Sequence, residues 1–160
     1  MSDNSFHEFV VGRGPELTRF ATLLCRDPHE AEDLLQDTLA AAYAKWHRIE
    51  GLEAPEAYVR RMLVNRHVSR WRKHRGRVEP RATMPDIAVC DEADASANTD
   101  AVRRMLRELP PKQRAAVVLR YYADYTDAQI AETLGCSEPT VRSQISRALA
   151  HLRAPERTRT

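Results

Sequence analysis

The chain has 160 residues, of which 42% are hydrophobic and 30% are charged, and its formal net charge is +2. This length allows one medium domain or two small ones, and the high charged fraction favours small helical units with large surfaces. No apolar run approaches the roughly 20 residues needed to cross a bilayer, and the N-terminus lacks a secretory signal pattern. We therefore expect a cytoplasmic chain without membrane insertion.

Three cysteines lie far apart in the sequence, at Cys25, Cys90 and Cys136. They form no CxxC pair and no Cys/His ligand spacing, so three free thiols are predicted and a metal site is not. The histidines are scattered without a nucleophile beside them, and no glycine-rich phosphate loop is present. The sequence therefore disfavours an enzyme.

Two short helices are predicted at the start of the chain from "FHEFV" and "PELTRFATLL", separated at the Gly-Arg-Gly-Pro segment 12–15. A long helix follows, with Asp27 as N-cap, Pro28 at the first helical position and Glu30 at the capping-box position. Its predicted buried stripe recurs at three- and four-residue steps and comprises Ala31, Leu34, Leu35, Thr38, Leu39, Ala42 and Trp46.

A basic helix is predicted after the loop 47–55. Between residues 56 and 77 the chain carries eight arginines and lysines and a single acid, Glu56. Polar and aromatic side chains such as Tyr58, Asn65 and Trp71 lie between the cations, and such groups can stack on bases or bond to their edges. A solvated arginine face with the aromatic rings in the core is the alternative interpretation.

The segment 79–100 reverses the charge and loses helical periodicity, so we predict a flexible acidic linker between domains at 1–78 and 101–155. Four helices are predicted in the second domain. The first, "AVRRMLRELP", has its apolar stripe at Val102, Met105, Leu106 and Leu109. The second, "KQRAAVVLRYYAD", is predicted to bury Ala116, Val117, Leu119 and Tyr121.

The last two predicted helices have the pattern of a helix-turn-helix. Thr126 and Gln129 form a capping box, Gly135 ends the third helix, and Ser137 caps the fourth. The inward stripe of the fourth helix is Val141, Ile145, Leu149 and Leu152. The outward set suits phosphates and major-groove base edges: Glu138, Thr140, Arg142, Ser143, Ser146 and Arg147. A four-helix unit without a DNA role would tolerate the same pattern.

The stretch "LRELPPKQRAAVVLRYYADYTDAQIAETLGCSEPTVRSQISRALAHLR" resembles the fourth region of sigma-70 family transcription initiation factors. The stretches "DPHEAEDLLQDTLAAAYAKW" and "PEAYVRRMLVNRHVSRWRK" resemble their second region. Because the first and third regions have no visible counterpart, the chain resembles the short extracytoplasmic-function (ECF) type. The resemblance implies an all-α fold of two small helical domains joined by a flexible linker, and non-catalytic promoter recognition without a cofactor.

For the first domain, the resemblance implies two binding surfaces. Asp33, Gln36 and Asp37 would bind the clamp helices of the RNA polymerase beta-prime subunit. A base of the minus-10 element would be flipped into a pocket, and the opened strand would be held by residues of the loop and the basic helix. These are Ile49, Asn65, Arg66, Ser69, Arg70, Arg72 and Lys73. Ser69 and Ile49 depart from the family pattern, which often has an acid and an aromatic residue there.

For the second domain, the resemblance implies that helix 138–153 reads the minus-35 element through Arg142, Ser143, Ser146 and Arg147. Ser137 and Thr140 would cap the helix and contact phosphate. The first helices of the domain would contact the beta-subunit flap, and the linker would follow the RNA-exit path or act as a plain tether. An anti-sigma factor is a further partner that the resemblance admits. The alternative function is a free-standing helix-turn-helix transcriptional regulator that binds duplex DNA without polymerase.

Overall fold

The computed structural model describes residues 2–74 and 97–153, and within these ranges it contains eight α-helices and no strand. The chain divides into two compact units, Met1–Asp86 and Ile87–Thr160. The first unit contains α1 (Ser2–Leu24), α2 (Pro28–Ala44), α3 (Trp46–Ile49) and α4 (Pro55–His74). The second contains α5 (Ala97–Arg107), α6 (Pro111–Tyr121), α7 (Asp127–Leu134) and α8 (Glu138–Arg153). The predicted all-α class is confirmed.

Part of the predicted linker, residues 79–96 with Cys90, lies outside the described residues. Helix α5 begins at Ala97, within the segment that the sequence predicts to be linker. Of the other thiols, Cys25 is buried and Cys136 is partly buried, and neither forms a disulfide. In the parts of the chain that the structure describes, no helix has the length and apolar character of a membrane span.

The structure corrects the prediction of two short helices at the start of the chain. Helix α1 continues through the Gly-Arg-Gly-Pro segment 12–15, with Pro15 inside it. Proline in a helix interior costs about 3 kcal/mol, but tertiary packing holds α1 on both sides of it. Leu17 and Phe20 are 1% exposed, and the ring of Phe6 lies edge-on to Trp46 with centroids 5.3 Å apart. Full burial of such side chains contributes about 1.5–3 kcal/mol each, which offsets the proline.

Polar contacts also join the start of α1 to the end of α2 and to α3. The hydroxyl of Tyr43 donates to the Asp3 carboxylate at 2.6 Å, and the indole nitrogen of Trp46 donates to Ser5 at 3.0 Å. The hydrogen bond to Asp3, together with its negative charge, raises the pKa of Tyr43. These contacts fix the end of α2 that leads into α3.

Helix α2 begins at the predicted residue, with the predicted N-cap. The Asp27 carboxylate caps it by accepting a hydrogen bond from the His29 backbone N–H at 3.1 Å, and Pro28 occupies the first turn. Its buried face is formed by Ala31, Leu34, Thr38 and Ala42. The Thr38 hydroxyl donates to the Leu34 carbonyl at 2.8 Å, which satisfies this buried polar group.

Part of the predicted loop 47–55 belongs to the short helix α3, which directs side chains into the core. Trp46 and Ile49 are 3% and 0% exposed and belong to the core of the first unit, with Leu17 and Val59. The expectation that Ile49 faces DNA is therefore corrected: one turn of helix after α2 directs this side chain into the core, where its apolar surface is removed from water. The exposed apolar side chains of this region are instead Leu52 and Tyr58, at 44% and 37%.

Helix α4 packs through a stripe of apolar residues, Val59, Leu63, Val64 and Val68. His67 lies in the same stripe at 8% exposure, and its Nδ1 is 3.8 Å from the Cys25 sulfur. At the N-terminal end of α4, Glu56 pairs with Arg13 of α1 at 3.5 Å. Packing on one side of α4 leaves its opposite side free to face solvent.

A buried arginine joins α6 to the end of α5 in the second unit. Arg114 of α6 is 3% exposed, and its guanidinium donates to the carbonyls of Leu106 and Leu109, each at 2.9 Å. These carbonyls lie at the end of α5, where helical partners run out and a cation is favoured by the helix dipole. The sequence pattern did not predict this role of Arg114.

The helix-turn-helix forms as predicted. The Thr126 hydroxyl accepts from the Gln129 N–H at 3.1 Å, and the Gln129 side chain accepts from the Thr126 N–H at 2.8 Å. Gly135 ends α7 in the left-handed conformation, with φ of 73°. The prediction of a buried Tyr121 is wrong, because this residue ends α6 and is 59% exposed, whereas Leu119 fills the core position.

Candidate nucleic-acid interface

The solvent side of α4 presents most of the residues predicted to bind an opened strand. Asn65, Arg66, Ser69, Arg72 and Lys73 are all exposed. Their spacing of three and four residues places Asn65, Ser69 and Arg72 in one row, with Arg66 and Lys73 in the next row. An amide and a hydroxyl therefore lie within a band of three cations, a combination suited to base edges and backbone phosphates together.

Arg70 does not share this surface. Its guanidinium is directed toward α2, where it donates to Asp37 and lies 3.7 Å from the Asp33 carboxylate. The side chain of Arg70 is 30% exposed, compared with 71% for Asp33 and 52% for Asp37. The structure thus joins one predicted strand-binding residue to two predicted polymerase-binding residues, a relationship that lay outside the reach of helical periodicity.

The outer side of α2 is acidic. Asp33, Gln36 and Asp37 are exposed, and a turn of helix separates Asp33 from Asp37. Asp33 and Gln36 also line an open depression of about 410 Å³ that continues toward the start of the helix. The remaining lining residues are Asp27, His29, Glu30 and Glu32. A surface with this density of carboxylates is complementary to a basic partner.

The outer side of α8 presents every residue predicted to read duplex DNA. Ser137, Thr140, Arg142, Ser143, Ser146 and Arg147 are all exposed. The buried side of α8 is formed by Val141, Ile145 and Ala148, while Leu149 and Leu152 are only partly buried. The Thr140 N–H donates to the Ser137 hydroxyl at 3.3 Å, so Ser137 caps the helix as expected.

Arg142 is held by a network that sequence reasoning missed. Its Nη1 is 3.5 Å from one oxygen of Asp127, at the start of α7, and 4.0 Å from Glu138. The other Asp127 oxygen accepts from Arg120 of α6 at 2.5 Å. Three helices of the second unit thus meet at one carboxylate.

Within the described residues, no cluster of three or more His, Cys, Asp or Glu is placed to hold a metal ion.

Each of the two units matches a known family model. The Sigma-70 region 2 family model matches residues 10–77, and the Sigma-70, region 4 model matches residues 99–152. The chain is 37% identical over 148 residues to the RNA polymerase sigma-E factor of Streptomyces coelicolor, covering 92% of this chain and 84% of that protein. It is 35% identical over 138 residues to the ECF RNA polymerase sigma factor SigM of Mycobacterium tuberculosis, covering 86% of this chain and 69% of that protein.

Solved structures give the same result. The sigma factor RpoE of Bartonella quintana, in its complex with the anti-sigma factor NepR, matches with a TM-score of 0.69 and 28% identity, over 92% of this chain and 94% of that chain. Both family regions therefore occur in this one chain, with region 2 before region 4. The chain belongs to the sigma-70 family of RNA polymerase sigma factors, and within it to the ECF group.

Proposed function

We propose that this chain binds core RNA polymerase and directs promoter-specific transcription initiation by reading minus-35 and minus-10 elements and stabilising the melted strand. The proposal rests on one observation above all: region 2 and region 4 matches cover residues 10–77 and 99–152 of a single chain. The action is binding without a catalytic step or a cofactor, and it takes place in the cytoplasm, where polymerase and chromosomal DNA meet.

The polymerase surface in this proposal is the acidic outer side of α2, formed by Asp33, Gln36 and Asp37. The clamp helices of the beta-prime subunit would supply basic side chains to it. Exposed carboxylates that are held at one helical spacing favour docking through electrostatic complementarity, which chiefly raises the association rate and fixes the orientation. The depression beside Asp33 extends this surface toward the start of α2.

The strand-binding surface is the solvent side of α4. Asn65 would hydrogen-bond the edge of a flipped minus-10 base, at a place where unstacking costs a few kcal/mol. Arg66, Arg72 and Lys73 would hold the backbone, and Ser69 lies between them. Arg70, turned toward α2, belongs to the connection between the two surfaces, and the buried Ile49 supports the loop from below.

The duplex-reading surface is the outer side of α8. Arg142 and Arg147 have the donor fork that matches guanine, while Ser143 and Ser146 can bond base edges or phosphates. Ser137 and Thr140, at the helix start, would meet a phosphate. The first helices of the second unit would contact the beta-subunit flap.

We assign these functions to the predicted domains 1–78 and 101–155, joined by the acidic linker 79–100. An anti-sigma factor is a further proposed partner, because the solved RpoE structure that resembles this chain contains one. Such a partner would regulate access to polymerase. It would act on the same acidic and basic surfaces that initiation uses.

The test combines purified chain with core RNA polymerase and measures co-elution and run-off transcription on genomic promoter fragments. Polymerase-dependent initiation at specific sites is the expected result. Asn65→Ala should bind promoters but open them poorly, as measured by permanganate reactivity of unpaired thymines. Arg142→Ala should weaken promoter recognition, while Arg153→Ala, a matched exposed arginine on the same helix, should leave it unchanged.

The alternative regulator predicts a different outcome. A chain that fails to associate with core polymerase, yet binds specific duplex sites by itself, would overturn the sigma-factor proposal. Initiation that survives both Asn65→Ala and Arg142→Ala would retain the sigma function and refute these residue assignments.

A further inference from the structure

Asp127 lies where three helices of the second unit meet. It is the first residue of α7, and its two carboxylate oxygens face different arginines. Arg120, at the end of α6, donates to one oxygen at 2.5 Å and also lies 5.9 Å above the ring of Tyr121. Arg142, on α8, lies 3.5 Å from the other oxygen. The side chain of Asp127 is 21% exposed, so this bridge is partly shielded from solvent.

The two arginines have different surroundings. The side chain of Arg120 is 37% exposed and is held by both the carboxylate and the aromatic ring. Arg142 is 57% exposed and gives Asp127 only its Nη1 group. A guanidinium has five N–H donors, so most of the Arg142 fork remains available to a ligand at the surface of α8. Its Nη1, however, is held beside Asp127 at the start of α7.

The Asp127 carboxylate lies beside the surface proposed to read DNA, where its negative charge would repel phosphates. The dipole at the start of α7 and the contact with Arg120 both favour a carboxylate here, but Arg120 contacts only one of its two oxygens. The second oxygen acts on Arg142. An exposed ion pair contributes little stability, but it removes rotamers from a side chain with several flexible bonds, and a restricted arginine loses less freedom when it binds in one geometry.

We propose that Asp127 is a positioning residue that directs the Arg142 fork toward one base position of the minus-35 element and away from neighbouring phosphates. This inference rests on the proposed reading of duplex DNA by α8. Without the Asp127 charge, Arg142 keeps only the longer contact to Glu138, at 4.0 Å, and reaches phosphates in more geometries. Non-specific binding then rises and base discrimination falls at the position that Arg142 reads.

The experiment assembles holoenzyme from the full chain and core RNA polymerase, selects bound duplexes from a randomised DNA library, and sequences them. The wild-type chain is compared with Asp127→Asn, Arg142→Ala and the double variant. Arg142→Ala should lower discrimination about tenfold at one minus-35 position. Asp127→Asn should lower it about threefold at that same position, and it should add nothing in the Arg142→Ala background.

Arg120→Gln is the matched control, because it breaks the other half of the Asp127 bridge without touching Arg142. It should leave the base preference at the Arg142 position unchanged. Circular dichroism checks that each variant is folded. Should Asp127→Asn unfold the second unit, Asp127→Glu keeps the charge but moves the carboxylate by one methylene group, and the same loss at one position is expected.

The proposal is overturned if Asp127→Asn has the wild-type base profile, weakens all positions equally, or still changes the profile in the Arg142→Ala background. A profile that Arg142→Ala leaves unaltered also overturns it, but does so by refuting the assignment of Arg142 as a reading residue. The single variants separate these two failures.

Discussion

The guanidinium of Arg70 on α4 donates a hydrogen bond to the carboxylate of Asp37 on α2, and its second terminal nitrogen lies 3.7 Å from Asp33. In the proposed function, Asp37 faces polymerase and the neighbouring cations of α4 face DNA. A basic partner that binds these carboxylates would therefore compete with Arg70 for them.

Asp37→Asn tests this relationship. We expect weaker association with core polymerase and, for the free chain, binding to single-stranded DNA about threefold tighter at low salt, because Arg70 becomes available to a phosphate. Co-elution with core polymerase measures the first effect, and fluorescence anisotropy with a labelled oligothymidine across a salt series measures the second. One additional phosphate contact should steepen the slope of log affinity against log salt by about 0.7.

Glu32→Gln is the control for this prediction, since it removes the same charge from an exposed position of α2, whereas the Arg70 guanidinium is directed at Asp33 and Asp37. It should leave the salt slope as it is. Equal slopes for Asp37→Asn and Glu32→Gln would show that Arg70 gains no phosphate when Asp37 is neutralised.

Ile49→Val tests the assignment of this residue to the core. Removing one buried methylene should lower the free energy of unfolding of the first unit by about 1 kcal/mol, without changing promoter opening. Both tryptophans of the chain, Trp46 and Trp71, lie in the first unit, so their fluorescence during urea denaturation reports its stability. Leu52→Ala, at an exposed neighbour, should change that stability by less than about 0.5 kcal/mol. A defect in promoter opening at unchanged stability would place Ile49 outside the core in the promoter complex.

Arg114→Ala should destabilise the second unit by about 3 kcal/mol, because the Leu106 and Leu109 carbonyls lose a charged donor inside the core. Far-ultraviolet circular dichroism during urea denaturation should show an early loss of helix, while the tryptophan transition stays in place. Arg104→Ala, at an exposed position of α5, is the comparison and should shift neither transition measurably. If Arg114→Ala matched Arg104→Ala, the buried hydrogen bonds would carry no net stability.

Pro15→Ala should stabilise the first unit by about 1 kcal/mol, because alanine restores a backbone donor to the Val11 carbonyl and relieves the ring clash, with some loss from the freer unfolded chain. Gly12→Ala should act in the same direction by a similar amount, since an added Cβ at Gly12 meets nothing within 4 Å. Tryptophan-monitored denaturation measures both. Destabilisation by Pro15→Ala would mean that α1 needs the proline geometry at this point.

Local features of the sequence were sufficient to predict the parts of the structure that depend on a single helix. The N-cap at Asp27, the capping box of Thr126 with Gln129, and the left-handed Gly135 depend on residues at most four apart. The stripes of α2 and α8 follow from the same short spacings. Together with the resemblance, they were enough to predict the all-α fold, the helix-turn-helix, and the exposure of the α8 residues proposed to read DNA.

Tertiary structure decided what depends on contacts between helices. The packing of both halves of α1 outweighed Pro15, and one extra turn after α2 placed Ile49 inside. The bridges from Arg70 to Asp37 and from Asp127 to Arg142 span 33 and 15 residues. Periodicity within a helix determines which side chains face outward, but only the packing of one helix on another determines which outward charges meet.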